Sequence, residues 1–410
     1  MNMCMHAIRQ CSLACLFVGV LAGAADSLPP GVIVATTPLP ETQYIGSPSI
    51  VVLPDGTYVA CHDFFGKAGP GLRQTHVYQS RDQGASWMPL SHLPNATWGT
   101  LFVHQEALHY MGIFDEPGNV VIRRSADGGR TWTEPKDTDS GLLFTGKFHS
   151  APVPVVVQAG RIWRTVEEVV NDEKWPRHFA ALMLSAPVGA DLLKASSWTR
   201  SNGLVFDGSW LPGRRPGWLE GNAVVTPEGG ISNLLRVNTE LGLDAAYELS
   251  GPAAGIPRFE VAACADVSVD GRSLVFDPAK GFIHFPGGLS KFTVRYDPVS
   301  KRYWALVNKV THPHADRPVE TEPVAQRNVV ILTSSADLRY WQEHARLLEW
   351  RPGEKLIRKE RYGFQYLDWQ FDGDDLIAVA RTAWGADNFH NANYLTFHRV
   401  RNFRASPAAK

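Results

Sequence analysis

A strand–turn–strand unit recurs along the chain, and this repetition restricts the fold more than any other feature. Its six copies each have an apolar run, a short polar break and a second apolar run, at 47–63, 98–114, 149–168, 220–238, 289–308 and 364–382. Runs of β-branched and aromatic residues around Gly, Asp and Asn form hairpins, because these turn residues tolerate positive φ. Repetition at this spacing is typical of propellers. The sequence therefore predicts an all-β fold, a six-bladed β-propeller of four-stranded antiparallel blades.

Two copies of the loop pattern SxDxGxxW follow strands of this repeat, SRDQGASW at 80–87 and SADGGRTW at 125–132. The Ser and Asp side chains of such an Asp-box loop accept hydrogen bonds from its own N–H groups, and Trp packs the loop onto its blade. Degenerate copies lie at 185–198 and 335–341. We interpret the Asp residues as turn-stabilising groups and not as catalytic ones.

Composition fits one large domain without nucleic-acid partners. The chain has 410 residues, 44% of them hydrophobic, and an all-β repeat protein of this length can form a single domain, which we place at 26–410. The formal net charge is −1 and no basic stripe is present, which argues against nucleic acid or an anionic membrane as partner.

Residues 1–25 differ from the rest of the chain. Arg9, the apolar run 13–21 and the small residues AGAA at 22–25 are typical of a secretion signal peptide, so we expect a secreted or periplasmic protein. The apolar run is too short for stable membrane insertion. Cys15 precedes most of that run, which argues against lipoprotein anchoring. Two cysteines remain beyond it and indicate neither a disulfide framework nor a metal site, and no cofactor is expected.

The chain resembles the sialidase superfamily of six-bladed propellers, both in its Asp-box loops and in LEGNAVVTPEGGISNLLR at 219–236. Glutamate begins this strand pair in the family, a turn with Gly divides it, and arginine follows sixteen residues after the glutamate, as Glu220 and Arg236 do here. The resemblance implies that Glu220 polarises a tyrosine nucleophile, either Tyr366 or Tyr362. It also implies that Arg236 belongs to a three-arginine clamp for a substrate carboxylate.

The chain departs from the family pattern in its first repeat. Gly46 or Ser47 stands where the family has the first arginine of the clamp, and the following loop, 64–76, contains no Asp or Glu where the general acid is expected. Asp63 is the nearest carboxylate and becomes the candidate acid. A further clamp arginine is either Arg295 or Arg381.

Alignment of the six repeats at their turns indicates a site independently of the family. The first strands of propeller blades line the channel, and their starts converge on one face. Polar residues at these starts are Ser47, His149, Ser150, Glu220, Asn222, Lys291, Tyr366 and Asp368. Polar residues at the ends of the second strands are His62, Asp63, Glu167, Glu168, Arg236, Asn308 and Arg381. Many directed hydrogen bonds around a cavity are typical of a sugar site.

Some of these residues have alternative interpretations. His149 is either a structural histidine or a catalytic base, and Glu167 and Glu168 point to opposite sides, so that at most one faces the channel. Lys291 and Arg295 lie four apart on a strand and share a face, which favours binding of an anion.

Two further residues complete the predicted binding surface. His390 lies in a segment rich in His and Asn, which we expect to cover the channel mouth, and Trp218 is expected to stack on a sugar ring.

Function classes follow from this set of residues. We expect an exo-acting glycoside hydrolase for an acidic or decorated glycan. The alternatives are a polysaccharide lyase, with a His or Tyr base and a cationic clamp for a uronate, and a glycan-binding propeller without catalysis.

Overall fold

The structure, a computed structural model, describes residues 28–69, 71–115, 117–211, 216–239, 247–311, 323–351 and 361–406. Helix in these residues is limited to one short α-helix, α1 (Pro278–Gly281), and to 3-10 turns at Ala195–Ser197, Gly251–Ala253, Pro323–Ala325 and Phe403–Ala405. The predicted all-β class is confirmed. The predicted signal peptide lies outside the described residues, and the assignment of 26–410 to one domain stays a prediction.

Strands account for the regular structure of the described residues. The first are β1 (Val32–Thr36), β2 (Gln43–Ile45), β3 (Ser49–Val52), β4 (Tyr58–Gly66), β5 (Thr75–Ser80), β6 (Met88–Leu93), β7 (Thr97–His104), β8 (Ala107–Phe114) and β9 (Gly118–Ser125). Next come β10 (Leu142–His149), β11 (Val156–Gln158), β12 (Arg161–Val169), β13 (Phe179–Pro187), β14 (Thr199–Arg200), β15 (Leu204–Val205), β16 (Gly217–Val225), β17 (Ile231–Asn238) and β18 (Val261–Val267). The last are β19 (Leu274–Val275), β20 (Phe282–His284), β21 (Thr293–Asp297), β22 (Arg302–Asn308), β23 (Val329–Ser335), β24 (Trp341–Glu349), β25 (Gly363–Asp372), β26 (Asp375–Ala383) and β27 (Tyr394–Val400).

Every predicted repeat forms an antiparallel hairpin. The pairs are β3–β4, β7–β8, β11–β12, β16–β17, β21–β22 and β25–β26. A four-stranded antiparallel blade is seen in the order β21-β22-β23-β24, and another in the order β1-β27-β26-β25, where β1 from the start of the described chain pairs with β27. The repeat unit therefore folds as the hydrophobic pattern predicts.

The described strands form five sheets and not six separate ones. One sheet has nine strands because β10 pairs with strands on both of its sides. Leu142 and Phe144 pair with β9, whereas His149 pairs with Glu167 of β12. His149 is thereby placed at the point where one strand group ends and the next begins.

Buried polar side chains near the starts of the inner strands connect neighbouring hairpins. Asn222 Oδ1 accepts a hydrogen bond from the N–H of Val294 at 2.9 Å. Asp368 Oδ2 accepts from the N–H of Ile50 at 3.0 Å and from the hydroxyl of Ser49 at 2.8 Å. Both Asn222 and Asp368 are fully buried. Their side chains thus satisfy the backbone of the next hairpin, and the expectation that they bind substrate is not supported.

The predicted Asp-box loops have the expected hydrogen bonds. Asp127 accepts from the hydroxyl of Ser125 at 2.8 Å and from the N–H of Thr131 at 2.9 Å. The loop at 335–341 has the same Ser–Asp contact, at 3.0 Å. A further loop of this kind lies at 268–274, where the sequence has no Trp and the pattern was not recognised. Within the described residues, no helix is long and apolar enough to cross a membrane.

Candidate active site

Glu220, Arg236 and Tyr366 form a hydrogen-bonded cluster where the inner strands begin. Tyr366 Oη donates to Glu220 Oε1 at 2.6 Å, and Arg236 Nη1 donates to Glu220 Oε2 at 2.7 Å. Glu220 and Arg236 are buried, whereas Tyr366 keeps partial exposure. The other tyrosine that the sequence left open, Tyr362, stacks on Trp350 with ring centroids 3.9 Å apart. Tyr366 is therefore the tyrosine that contacts Glu220.

Backbone irregularities orient both members of this pair. The pairing register shifts at Glu220 between β16 and β17, and at Tyr366 between β25 and β26. The φ angle is +54° at Glu220 and +56° at Tyr366, in the left-handed region that few side chains adopt. Such a conformation costs a non-glycine residue about 1–3 kcal/mol and persists where the surrounding sheet holds it. These bulges turn the side chains out of the regular alternation of their strands.

Opposing charges set the protonation of the pair. Burial, followed by the charge of Glu220, raises the pKa of Tyr366 to about 12, although Arg236 and Arg381 act in the opposite direction. Burial alone would raise the pKa of Glu220, but the charges of Arg236 and His149 and the bonds from Tyr366 and Arg236 hold it below its usual range. The resting state is thus a neutral phenol hydrogen-bonded to an ionised carboxylate.

Two more arginines lie beside Tyr366. The guanidinium carbon of Arg381 is 5.3 Å from the ring centre of Tyr366 and 4.4 Å from that of Phe65. Arg327 is buried near Arg236, and burial together with the Arg236 charge lowers the pKa of Arg327 to about 9. Burial lowers the pKa of Arg381 to about 10. Among the described residues, the buried Nε atoms of Arg327 and Arg381 have no hydrogen-bond partner.

Arg327 was not predicted from the sequence. It precedes β23, the third strand of its sheet, whereas the repeat alignment used only the first two strands. An alignment extended to the starts of the third strands would have included it. Arg236, Arg327 and Arg381 together form a group that we call the arginine cluster.

Asp63 is buried beside Arg381 and is bonded to the backbone. Its Oδ1 accepts from the N–H of Ser47 at 2.6 Å, and its Oδ2 accepts from the N–H of Trp98 at 2.6 Å. Burial raises the pKa of Asp63 to about 6, against the effect of these bonds. A Cβ atom at Gly46 would lie 1.7 Å from Asp63 Oδ1, so Asp63 occupies the space next to the position of the family's first arginine.

His149 and Glu167 form a second pair near the first, in which Glu167 is buried and His149 is partly exposed. His149 Nδ1 and Glu167 Oε2 are 2.9 Å apart, and Glu167 Oε1 accepts from the N–H of Gly221 at 3.2 Å. The imidazole lies between the rings of Trp98 and Phe179, with centroids 4.6 and 4.8 Å away. Of the adjacent carboxylates in the sequence, Glu167 faces inward, whereas Glu168 pairs with Arg200.

Lys291 and Arg295 have protein partners in place of a free anion site. Lys291 Nζ donates to Thr293 Oγ1 at 2.7 Å and to the carbonyl of Leu367, the residue after Tyr366, at 2.9 Å. Burial lowers the pKa of Lys291 to about 8. Arg295 Nη2 donates to Asp368 Oδ1 at 3.2 Å. Lys291 therefore supports the backbone at Tyr366, and a substrate-binding role for Arg295 is not supported.

Of the two remaining predicted residues, His390 lies beside Arg381 and Trp218 lies in the core. The backbone carbonyl of His390 accepts from Arg381, and its exposed ring contacts Phe65 at 5.2 Å. Trp218 is fully buried, with its ring against Phe206 at 5.0 Å. Stacking of Trp218 on a sugar is therefore not supported.

A different tryptophan is available at the site. The side chain of Trp175 is 43% exposed, and the guanidinium carbon of Arg236 is 5.8 Å from its ring centre. Among the described residues, no group of three or more His, Cys, Asp or Glu side chains is placed to hold a metal ion.

No protein-family model and no curated protein matches the sequence. Solved structures do match. An α-L-arabinanase from Penicillium chrysogenum, complexed with arabinobiose, has a TM-score of 0.52 and 12% identity, over 92% of this chain and 99% of its own. An α-L-arabinofuranosidase from Fusarium graminearum, in complex with an iminosugar inhibitor, has a TM-score of 0.56 and 10% identity, over 90% and 97%. A Hadza microbial sialidase has a TM-score of 0.55 and 13% identity, over 89% and 66%.

These similarities concern the fold. They confirm the resemblance to sialidase-like β-propellers at the level of architecture, and the identities are too low to transfer an activity or a residue role. The chemistry of the site has to be argued from its own side chains.

Proposed function

We propose that the protein is a secreted, exo-acting glycoside hydrolase for an acidic glycan, with Tyr366 as nucleophile and Glu220 as its base. The 2.6 Å hydrogen bond between Tyr366 Oη and Glu220 Oε1 supports this proposal most directly. A neutral phenol is a weak nucleophile, and a carboxylate within hydrogen-bond distance can accept its proton as the oxygen attacks. The bond from Arg236 to the other carboxylate oxygen keeps Oε1 directed at the tyrosine.

The arginine cluster supports an acidic substrate. It brings three cations to one place, and only Arg236 has a carboxylate partner among the described residues. A buried cation is costly unless an anion meets it. Arginine binds a carboxylate through parallel hydrogen bonds, so a sugar carboxylate would supply the anionic partner that Arg327 and Arg381 lack among the described residues. We infer exo action because a carboxylate bound beside the nucleophile selects a charged terminal residue.

The reaction has two steps in this proposal. Tyr366 Oη attacks the anomeric carbon while its proton passes to Glu220, and the bond to the leaving oxygen breaks. Water then attacks the anomeric carbon of the tyrosyl glycoside, and Glu220 returns the proton to the departing phenol oxygen. The proton that the water loses replaces the one that the first leaving oxygen took up from a general acid. The sheet geometry fixes both residues in advance, so the chemical step needs little rearrangement.

We further propose that the nine-stranded sheet contains two blades, which makes a ring of six.

Product analysis tests the proposal. The purified protein is incubated with aryl glycosides of sialic and hexuronic acids and with uronate-containing oligosaccharides. Release of the aryl alcohol and of reducing sugar, without ultraviolet absorbance from an unsaturated product, is expected for wild type and not for Tyr366→Phe. Formation of an unsaturated product would indicate elimination, which would refute the hydrolase and support the lyase alternative. Glycan binding without any product would support the binding-module alternative and overturn the enzyme.

A further inference from the structure

We infer that His149 transfers the proton to and from the glycosidic oxygen, with Glu167 as its positioning carboxylate. This inference rests on the proposed function and adds the acid and base that the tyrosine pair lacks. The loop 64–76, where the resemblance places a general acid, contains no Asp or Glu. A proton donor is still required, because an alkoxide is a poor leaving group.

Asp63 is poorly placed for this role. Both of its carboxylate oxygens accept backbone N–H groups at 2.6 Å, and the side chain is only 2% exposed. A proton on either oxygen would displace one of these bonds and leave a buried N–H unpaired. Asp63 therefore acts as a structural acceptor that joins the turn at Ser47 to the bulge at Trp98.

His149 has the geometry of a proton carrier. Glu167 lies 2.9 Å from Nδ1, which holds the ring in the form with a proton on that nitrogen. The rings of Trp98 and Phe179 fix the plane of the imidazole from two sides. Nε2 has no hydrogen-bond partner among the described residues, and 13% of the His149 side chain is exposed. Nε2 is thus the ring nitrogen that remains available to a substrate oxygen.

Glu167 connects this histidine to the nucleophile's base. Its second oxygen accepts the N–H of Gly221, the residue that follows Glu220, at 3.2 Å. The charge of His149 also acts on Glu220 and helps to lower its pKa. The two pairs, Tyr366 with Glu220 and His149 with Glu167, are therefore neighbours, joined through Gly221.

Atoms and protons balance with His149 in this role. The imidazolium donates its Nε2 proton to the leaving oxygen as the anomeric C–O bond breaks and the Tyr366 C–O bond forms. The neutral imidazole then takes a proton from the attacking water, and the imidazolium is regenerated. Glu167 keeps its charge throughout and stabilises the cation, as the carboxylate of a triad does.

Glu167 is the anion that supports a cationic ring. The charged and titratable groups around the ring are Glu167, Glu220, His178 and, behind Glu167, Arg164. The first step needs a proton on Nε2, and the carboxylate beside Nδ1 stabilises the resulting cation. Removal of the Glu167 charge withdraws that support and should slow proton donation to the leaving oxygen.

Paired substrates test the inference. One carries an aryl leaving group that departs without protonation, and the other carries an alkyl or sugar leaving group that requires it. His149→Gln should lower the single-turnover rate on the second substrate by roughly 10²–10⁴-fold, the usual value of a general acid, and on the first by far less. Glu167→Gln should lower the rate on the second substrate more than on the first, because the uncharged amide no longer stabilises the cationic ring. His92→Gln, a substitution on the exposed strand β6, is the matched control and should change neither.

The outcomes separate the two proposals. An inactive wild type on both substrates would refute the proposed function itself. An active wild type with equal losses on both substrates in either His149→Gln or Glu167→Gln would overturn only the histidine assignment. Because each variant is judged by a difference between substrates, a partial loss of folded protein does not imitate the expected result.

Discussion

Glu220 and Tyr366 occupy corresponding bulges of two different hairpins, and their side-chain oxygens meet at 2.6 Å. Trp98 has the same backbone irregularity in a third hairpin, with φ of +53°. The repeat thus uses one local distortion several times to turn side chains toward the mouth. The distance between nucleophile and base is consequently set by sheet register and not by a flexible loop.

Loss of the tyrosine hydroxyl and loss of the glutamate charge should have different effects. Tyr366→Phe should lower kcat by roughly 10²–10⁴-fold while the protein keeps its stability within about 1 kcal/mol. Glu220→Gln should also inactivate the protein, but it leaves the buried Arg236 without its partner and should cost about 3–5 kcal/mol. Urea unfolding and steady-state rates of both variants check this, and equal stability losses would contradict it.

Arg327→Met should stabilise the protein while it weakens binding of an acidic ligand. The buried guanidinium lies near Arg236 and has an unpartnered Nε, so its removal relieves repulsion and desolvation by about 1 kcal/mol. Loss of a charged hydrogen bond to ligand should cost about 2 kcal/mol, or roughly 30-fold in affinity. Arg295→Met is the matched control, because Arg295 pairs with Asp368 and its removal should destabilise the protein. Thermal unfolding and calorimetry measure the two quantities, and a less stable Arg327→Met would count against the cluster.

Protonation of His62 should destabilise the protein in acid. Burial lowers the pKa of this fully buried histidine to about 3, whereas an unfolded histidine has a pKa of about 6.5. The unfolded chain therefore binds the extra proton first, and stability decreases as pH falls below about 6.5. Between pH 7 and pH 5, His62 contributes a loss of about 2 kcal/mol. His62→Gln should show that much less pH dependence in urea unfolding, and an unchanged slope would contradict the prediction.

Trp175→Ala should raise KM and leave kcat nearly unchanged. The exposed ring next to Arg236 offers an apolar face for substrate, and such a contact contributes about 1–2 kcal/mol, equivalent to roughly 5–30-fold in KM. Trp218→Phe is unsuitable as a control for binding, since Trp218 lies in the core. Tyr340 is an exposed aromatic residue on another loop, and Tyr340→Ala should leave KM unchanged. Initial rates over a range of substrate concentrations decide the matter.

Apolar runs separated by polar turns predicted the hairpins well, because strands such as β3 and β16 are buried almost continuously. The same alignment located Glu220, Arg236 and Tyr366, since residues at equivalent turns must converge in a ring. The alignment failed where a bulge interrupts a strand and where core packing determines the surroundings of a side chain. Trp218 was assigned to a sugar, yet an aromatic side chain on a buried strand has core neighbours that sequence does not reveal.

Polar residues at strand starts also proved to have two kinds of role. Asn222 and Asp368 lie beside the bulges and satisfy backbone N–H groups of the next hairpin, whereas Glu220 and Tyr366 lie within the bulges and face the mouth. The difference is two positions along the chain in both hairpins. Sequence alone does not show where a bulge inserts its extra residue, so the two roles cannot be separated before the register is known.

The contact of Gly46 with Asp63 limits how this site can change in evolution. A side chain at position 46 would meet the Asp63 carboxylate at 1.7 Å, and a shortened residue 63 would free the N–H groups of Ser47 and Trp98. A side chain at position 46 is not tolerable while Asp63 keeps its place, so a single-step path toward an arginine at position 46 is blocked. Descendants of this protein would have to acquire the two changes together, and natural variation at positions 46 and 63 should be correlated.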